Sequence, residues 1–574
     1  MVYHGSRKDG GSRVVLRKVN ESGLRRHFHD SHSAARGSSI MNSTPAICIL
    51  RLPTAVPAIL AAVIAVLFAS SASAAEAALA PDRDAWWIML APKELPKRAL
   101  RLSDTPLTQR AVDRRAARGS MRELISSADL PIAQARIDCV TATGASLRTV
   151  SRWLNLASVN ATPAELRSIV RLPFVRGAFP VHHSQRVELV ESGEAVEGGI
   201  AGSGAWSDAQ LTQIGVDGMH ARGFFGAGQI IGVLDTGFHR SHAGFSSVAH
   251  PLDVIAEWDF INNDGNTGIE PGDPGNQHWH GSAVLGFMGA YLPGQMIGAA
   301  YEAQFILAKT EDVSSETPIE EDYYVAGLEF IEANGADIAT SSLGYIDWYT
   351  PEQLDGVTAV TSRGVNIATA LGMICCTAAG NQGNDGNPAT NHLLAPADAL
   401  QVISCGAVEF DGATAWFTSD GPSADGRVKP EVCARGVNCY TIDPNNPAAI
   451  TSGSGTSFAT PLVAGAVATV LQARAEYSVN AMRNALFTTA SDMLANGTFD
   501  SLYRRGYGIM DALGAASINR DLEDINLDGF VGAADLAILL NAWGPCADIC
   551  PTDFNNDGVV DAADLATLLA SWGS

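Results

Sequence analysis

Charge is scarce in this 574-residue chain: 17% of residues are Asp, Glu, Lys or Arg, and the basic ones are the minority, 38 against 61 acidic. The resulting formal net charge of −23 disfavours nucleic acid and anionic membrane as partners, since both are themselves negative. Cysteine is sparse too. None of the nine is spaced as CxxC, which leaves no zinc-ribbon or thioredoxin-like pair. Cys433/Cys439 and Cys546/Cys550 lie close enough in sequence for disulfides in an oxidising compartment, whereas Cys375 and Cys376 sit in an apolar run and suit small core residues. The apolar stretch at residues 55–68 counts 14 residues, short of the about 20 that span a bilayer.

What is present points to a folded, exported chain. A hydrophobic content of 46% suits packed globular domains, and the length leaves room for two to four of them. The run at 55–68 is followed by small residues and an A-x-A site, Ala72-Ser73-Ala74, the order of a signal peptide. Met41, with Arg51 ahead of the apolar run, gives an ordinary signal n-region and is the expected translation start. We expect a leader and signal peptide over 1–75, an N-terminal module over 76–205, a central domain over 206–520 and a repeat-bearing tail over 521–574. In the N-terminal module AWWIML reads as a strand and LTQRAVDRRAARG as a basic helix, and Thr162-Pro163 opens a capped helix. The loose GGIAGSG at 198–204 is an exposed, cleavable linker, which places processing between about residues 185 and 206.

The central region alternates strand-like runs (QIIGVL, QFILAK, ADIATSSL, GMICCTAA) with helical patterns, among them a capping box expected at Thr317-Pro318-Ile319-Glu320. Such alternation predicts an α/β fold, a mostly parallel sheet covered by helices on both faces. Three motifs stand in the order Asp, His, Ser. Asp235 ends the run of VLDTGF, His280 opens HGSAVLGF, and Ser457 lies in SGSGTSFATPLVAG, where small residues lead into an apolar helix. A serine at a helix start presents its hydroxyl beside unpaired N–H groups. Serine alone is a poor nucleophile, so it requires an imidazole base, and that base requires an acid to hold its tautomer. Asn381, in TAAGNQGN, adds an amide that can donate to a developing oxyanion.

Rival readings of the same residues fail on pattern. DTG occurs once, whereas the aspartic-protease mechanism needs two carboxylates sharing a proton. His278 and His280 form an isolated HxH, a weak metal signal, and GTSFA lacks the last glycine of a G-x-S-x-G elbow.

Taken together, the four motifs resemble the subtilisin-type serine proteases, the subtilases. That resemblance implies Asp235, His280 and Ser457 as the triad and Asn381 as the oxyanion residue. It implies a peptide-binding strand at Ser342, Leu343 and Gly344, with Ala378, Ala379 and Gly380 as the opposite wall, and no cofactor for the chemistry. SRWLNLASV and LPFVRGAFPV resemble the propeptide of secreted bacterial subtilases, so that the N-terminal module would chaperone and inhibit the enzyme. HGSAV departs from the usual HGTHV at Ser282 and Ala283, and no role is assigned to FTSDGPSADGRVKPEV. The implied activity is that of a secreted endopeptidase acting on proteins or peptides; the alternative is a catalytically silent scaffold.

The tail repeats itself with a period of 29 residues, from Asp524 to Asp553. Asp524, Asn526, Asp528 and Asp535, then Asp553, Asn555, Asp557 and Asp564, stand at EF-hand spacing, with Gly529 and Gly558 at the sixth position of each loop. Oxygen donors so spaced predict Ca2+ binding. The pair resembles a type I dockerin, which implies a small helical module and a cohesin-like partner. However, Ala533-Ala534 and Ala562-Ala563 occupy the positions where dockerins commonly carry partner-contacting hydroxyls.

Overall fold

In residues 83–184 the near-continuous apolar strand β1 (Asp84–Leu90) is buried on both sides, and that burial explains the module's architecture. The computed structural model describes residues 83–181, 183–184, 205–313, 319–346, 349–546, 550–555 and 557–574. The signal and start-site readings, and the processing stretch up to residue 204, lie outside them. Helices α1 (Gln109–Arg118) and α2 (Gln134–Thr141) precede β2 (Ser146–Ser151) and β3 (Leu156–Ala161); α3 (Pro163–Ile169) and β4 (Val175–Pro180) complete the module. The four strands form an antiparallel sheet in the order β2-β3-β1-β4. Ile88 and Leu90 pack on its own helices, while Trp87 and Ala85 face Val325 and Val360 of the central domain. Thr162 caps α3 as its sequence predicts, with Glu165 returning the bond. The chain then leaves through a short strand, β5 (His183–Ser184).

Seven parallel strands form the central sheet: β6 (Ile230–Asp235), β7 (Asp253–Asp259), β8 (Gln304–Lys309), β10 (Ile338–Ser341), β11 (Ile374–Ala378), β12 (Ile403–Val408) and β13 (Val432–Arg435). Their spatial order is β13-β12-β11-β10-β6-β8-β7. The four apolar runs are β6, β8, β10 and β11, each buried along most or all of its length as a doubly covered sheet requires. Helices α4 (Trp279–Gly289) and α7 (Thr456–Ala473) cover one face; α5 (Glu321–Ala333) and α6 (Val360–Ala370) cover the other. From β6 the chain goes to β7 and β8 on one side and then crosses from β8 to β10 on the other, so the strand order reverses beside β6, and its C-terminal end is the switch point where open α/β sheets bind ligands.

Two expectations are corrected. Ile319 and Glu320 do not begin a helix. They form a strand, β9, paired antiparallel with β5, and α5 starts at Glu321. Local capping preference yields there to a tertiary ladder that uses the same backbone groups. Cys433 and Cys439 are separate buried thiols, one on β13 and the other in a β-hairpin formed by Cys439–Ile442 and Ile450–Gly453. Cys546 and Cys550 are joined as a disulfide, and Cys375 and Cys376 are buried on β11.

In the tail the two repeats fold alike. Asp535 and Asp564 cap helices α8 (Ala533–Asn541) and α9 (Ala562–Ala570). Leu539 and Leu568 pack between them on Ile525, Val531 and Val560, while Leu540, Trp543, Leu569 and Trp572 stay exposed.

Candidate active site

Asp235 ends β6, and its carboxylate turns back toward α4. Oδ1 accepts from His280 Nδ1 at 2.7 Å and from the Thr236 amide at 2.8 Å; both side chains are buried. The close approach of helix to strand depends on Gly281, where a methyl group would run into the Gly237 carbonyl and the Asp235 side chain. Ser282, the departure from the usual histidine segment, ties this corner together. Its hydroxyl donates to His278 O at 2.5 Å and accepts from the His239 amide at 2.7 Å, joining the start of α4 to the loop after Asp235. His278 precedes the helix without capping it by its side chain: its Nε2 meets Gly268 O at 2.8 Å and Asp273 at 3.3 Å.

Ser457 is the second residue of α7, a helix buried over nearly its whole length. The His280 ring stacks on Phe458, the next residue, with centroids 6.5 Å apart and planes at 22°. Ser457 Oγ lies 3.3 Å from Ser342 O, and Ser342 Oγ donates to Ser457 O at 2.7 Å. The strand exit after β10 and the start of α7 are thereby clasped. The hydroxyl faces Ser342 rather than His280, and among the described residues no Ser457–His280 hydrogen bond forms. Hydrogen bonds of this kind are often long or poorly aligned before substrate binds.

Asn381 follows β11. Its Oδ1 accepts from both the amide and the hydroxyl of Thr456, each at 2.9 Å, which fixes the orientation of the carboxamide. A Cβ placed on Gly455 would lie 3.4 Å from Asn381 Nδ2 and 3.6 Å from the Ser457 amide, so both nitrogens border one small space.

Of the expected walls, Ser342, Leu343 and Gly344 run out of β10 at the C-terminal edge of the sheet. Ala378 lies on β11 beside Cys405. The backbone at Ala379 and Gly380 bonds inward, to Cys405, Leu394, Ser419 and Thr456. Strand β9, by contrast, carries β5 as an added antiparallel strand.

One supporting segment of the site escaped sequence reasoning, Ala415–Asp420, within FTSDGP and its approach, which straps down the Asn381 loop. Ser419 N donates to Gly380 O, Ser419 Oγ accepts from Gln382 N, and Asn384 Nδ2 donates to the carbonyls of Ala415, Trp416 and Thr418. In the sequence its signal was the resemblance of FTSDGPSADGRVKPEV to a subtilase segment, which assigns it no role.

In the tail loops, Asp524 Oδ1 and Asn526 Oδ1 both accept from Asp528 N, and Asp524 Oδ2 accepts from Gly529 N. Asp553, Asn555, Asp557 and Gly558 repeat the arrangement. Burial pushes the Asp524 carboxyl above its usual range, and Asp535 and Asp528 add to the rise.

Known proteins resemble this chain over both its N-terminal module and its central domain. The family described as the subtilase family matches residues 226–508, and the peptidase S8 propeptide domain of Bacteroidota matches residues 85–194. Subtilisin DY of Bacillus licheniformis is 32% identical over 304 residues, 53% of this chain and 96% of that protein. Subtilisin Savinase of Lederbergia lenta is 28% identical over 294 residues, 51% of this chain and 94% of that protein. Among solved structures, fervidolysin of Fervidobacterium pennivorans, a keratinolytic enzyme related to subtilisin, shares the fold with a TM-score of 0.51 at 19% identity, covering 75% of this chain and 60% of that one.

Proposed function

Because the chain belongs to the subtilase family, as a serine endopeptidase made with a propeptide, we propose that Ser457, His280 and Asp235 carry its chemistry. In this reading Ser457 Oγ attacks the scissile carbonyl carbon while His280 Nε2 takes the hydroxyl proton. Asp235 holds the Nδ1 proton and stabilises the imidazolium that forms. The tetrahedral oxyanion sits between Asn381 Nδ2 and the Ser457 amide. Losing one such donor costs about 2.7–4 kcal/mol, a value measured on a subtilisin. Collapse expels the amine with the proton from His280, and water repeats the sequence in reverse to free the acid. The observation that carries this reading is the buried 2.7 Å His280–Asp235 bond at the C-terminal end of β6, beside the start of the helix that bears Ser457.

Substrate would lie extended by strand addition along Ser342, Leu343 and Gly344. Strand β9, which already accepts β5, would offer a further edge for pairing. Ala378, Ala379 and Gly380, with their backbone turned inward, would contribute shape rather than pairing. The enzyme acts outside the cell in this reading, after loss of the signal peptide. The decisive experiment is incubation of the matured protein with casein and a fluorophosphonate. We expect casein cleavage and labelling of Ser457; neither would leave only the silent scaffold.

The tail loops fit Ca2+ by donor chemistry, with alternate carboxylate and carboxamide oxygens around a glycine at φ 94° or 86°. Asp524, Asn526, Asp528 and Asp535 would hold one ion, and Asp553, Asn555, Asp557 and Asp564 the other. The ions would brace the tail and take no part in peptide hydrolysis. The exposed Leu540, Trp543, Leu569 and Trp572 would serve a cohesin-like or cell-surface partner. Calorimetric titration of the whole chain should reveal about two Ca2+ equivalents, one lost in Asp528→Ala and the other in Asp557→Ala. No heat of binding would remove the assignment.

A further inference from the structure

Beside its apolar contact with the central domain, the N-terminal module holds it through guanidinium–carboxylate pairs, and their partners divide unevenly. On α1, Arg110, Arg114, Arg115 and Arg118 fall at i, i+4, i+5 and i+8, one face of a helix. Opposite them stand Glu332 on α5 and Asp337 just before β10. Asp337 takes Arg110 at 2.5 Å and Arg118 at 2.6 Å. Glu332 takes Arg115 in a two-pronged contact at 2.8 Å on each arm, Arg114 on Oε1, and Arg152 at 3.4 Å. A turn or more along α5, Glu329 accepts from Ser151 Oγ and the Arg152 and Trp153 amides, and Asp322 accepts from Arg148 and Ser158. All four carboxylates are nine-tenths buried or more. Among the described residues every charged partner of the four comes from the N-terminal module.

We propose that this four-carboxylate face of α5 and Asp337 is an arginine receptor for the chain's own propeptide, with Glu332 as its hub, and that its opening sets when activity appears after the linker is cut. The proposal rests on the zymogen reading and deepens it.

The energetics explain why Glu332 is the hub. Burial alone would raise its carboxyl, yet Arg114, then Arg115 and Arg152, outweigh that and hold it below the usual range. Arg115 keeps a second partner, Asp129, inside its own module. Arg114 has none there: its other bond is to Ala336 O, on the central domain. Neutralising Glu332 therefore removes the bonded carboxylate from a buried guanidinium, leaving it only the Ala336 carbonyl and the more distant Asp337 charge, the costly way to break a buried pair. Asp337 is less critical, because Arg110 is partly in solvent. Apart from the propeptide, Glu329 and Glu332 would sit three residues apart on one helix face, where like charges repel. Nothing in the freed enzyme then favours keeping the face closed. The receptor selects for arginine: Arg115 engages Glu332 by its planar fork, which lysine cannot supply.

The test uses the full chain, followed from processing through the onset of casein turnover, with the cut scored on a denaturing gel. Glu332→Gln should shorten the lag between cutting and activity at least tenfold, Asp337→Asn by a smaller factor, and both should reach the wild-type final rate within twofold. Should Glu332→Gln fail to fold, the unmodified protein still decides. Raising salt from low to molar concentration should shorten its lag severalfold, because released charges are better screened than buried pairs. A lag unmoved by Glu332→Gln or, if that variant does not fold, by salt overturns the receptor. Activity without any lag in an uncut chain overturns instead the zymogen reading beneath it.

Discussion

A Ser457→Ala chain is expected to accumulate uncut, with its N-terminal module still attached, and to lose casein turnover by about a millionfold. That is the order of loss measured when a subtilisin's serine is removed. The substitution deletes one oxygen at the second residue of α7. The helix start is held by other contacts, namely Thr456 on Asn381 Oδ1 and Ser342 Oγ on Ser457 O, so fold and stability should barely change. The hydroxyl's own bond, to Ser342 O, is long at 3.3 Å and contributes little. Two readouts therefore separate cleanly: thermal unfolding near that of the wild type, and no self-processing in a host free of other proteases. A chain that still matures itself would move the nucleophile elsewhere.

Much of this site was legible because the chemistry sits where strands end. Asp235, Ser342 and Asn381 each follow an apolar run that could only be a buried strand, and the runs come out as β6, β10 and β11. What escaped prediction depends on pairing between distant segments. Thr317-Pro318-Ile319-Glu320 carries every local mark of a helix start, yet Ile319 and Glu320 pair with His183 and Ser184, more than 130 residues away in sequence. Cys433 and Cys439 are six positions apart, but one lies in the central sheet and the other in a separate hairpin. Ser282 read as a departure from pattern; in the folded domain its hydroxyl joins His278 O to the His239 amide. Likewise the arginines of α1 read only as a basic helix. Their meaning lies in Glu332 and Asp337, whose positions beneath α1 no local pattern encodes.

The two histidines of HWH supply the sharper test. His280→Ala should cut turnover about as far as Ser457→Ala, because members of such a triad act as a unit: in a subtilisin, removing the base alone costs about as much as removing all three. His278→Ala should keep kcat within about tenfold. Both imidazoles are buried and both meet a carboxylate, His280 at 2.7 Å from Asp235 and His278 at 3.3 Å from Asp273, so burial and pairing do not distinguish them. Direction does. His280 lies against Asp235 on one side and stacks toward Phe458, hence toward Ser457, on the other. The Nε2 of His278 is committed to Gly268 O, and burial, with Lys309 adding to it, pushes its pKa below the ordinary value, so it stays neutral and structural. Its loss would leave the Gly268 carbonyl and Asp273 short of a partner. Roughly 1–3 kcal/mol of stability should go with it, read as a lower unfolding temperature with KM little changed. The reverse outcome, an active His280→Ala and a dead His278→Ala, would reassign the base and leave the Asp235–His280 bond a structural one.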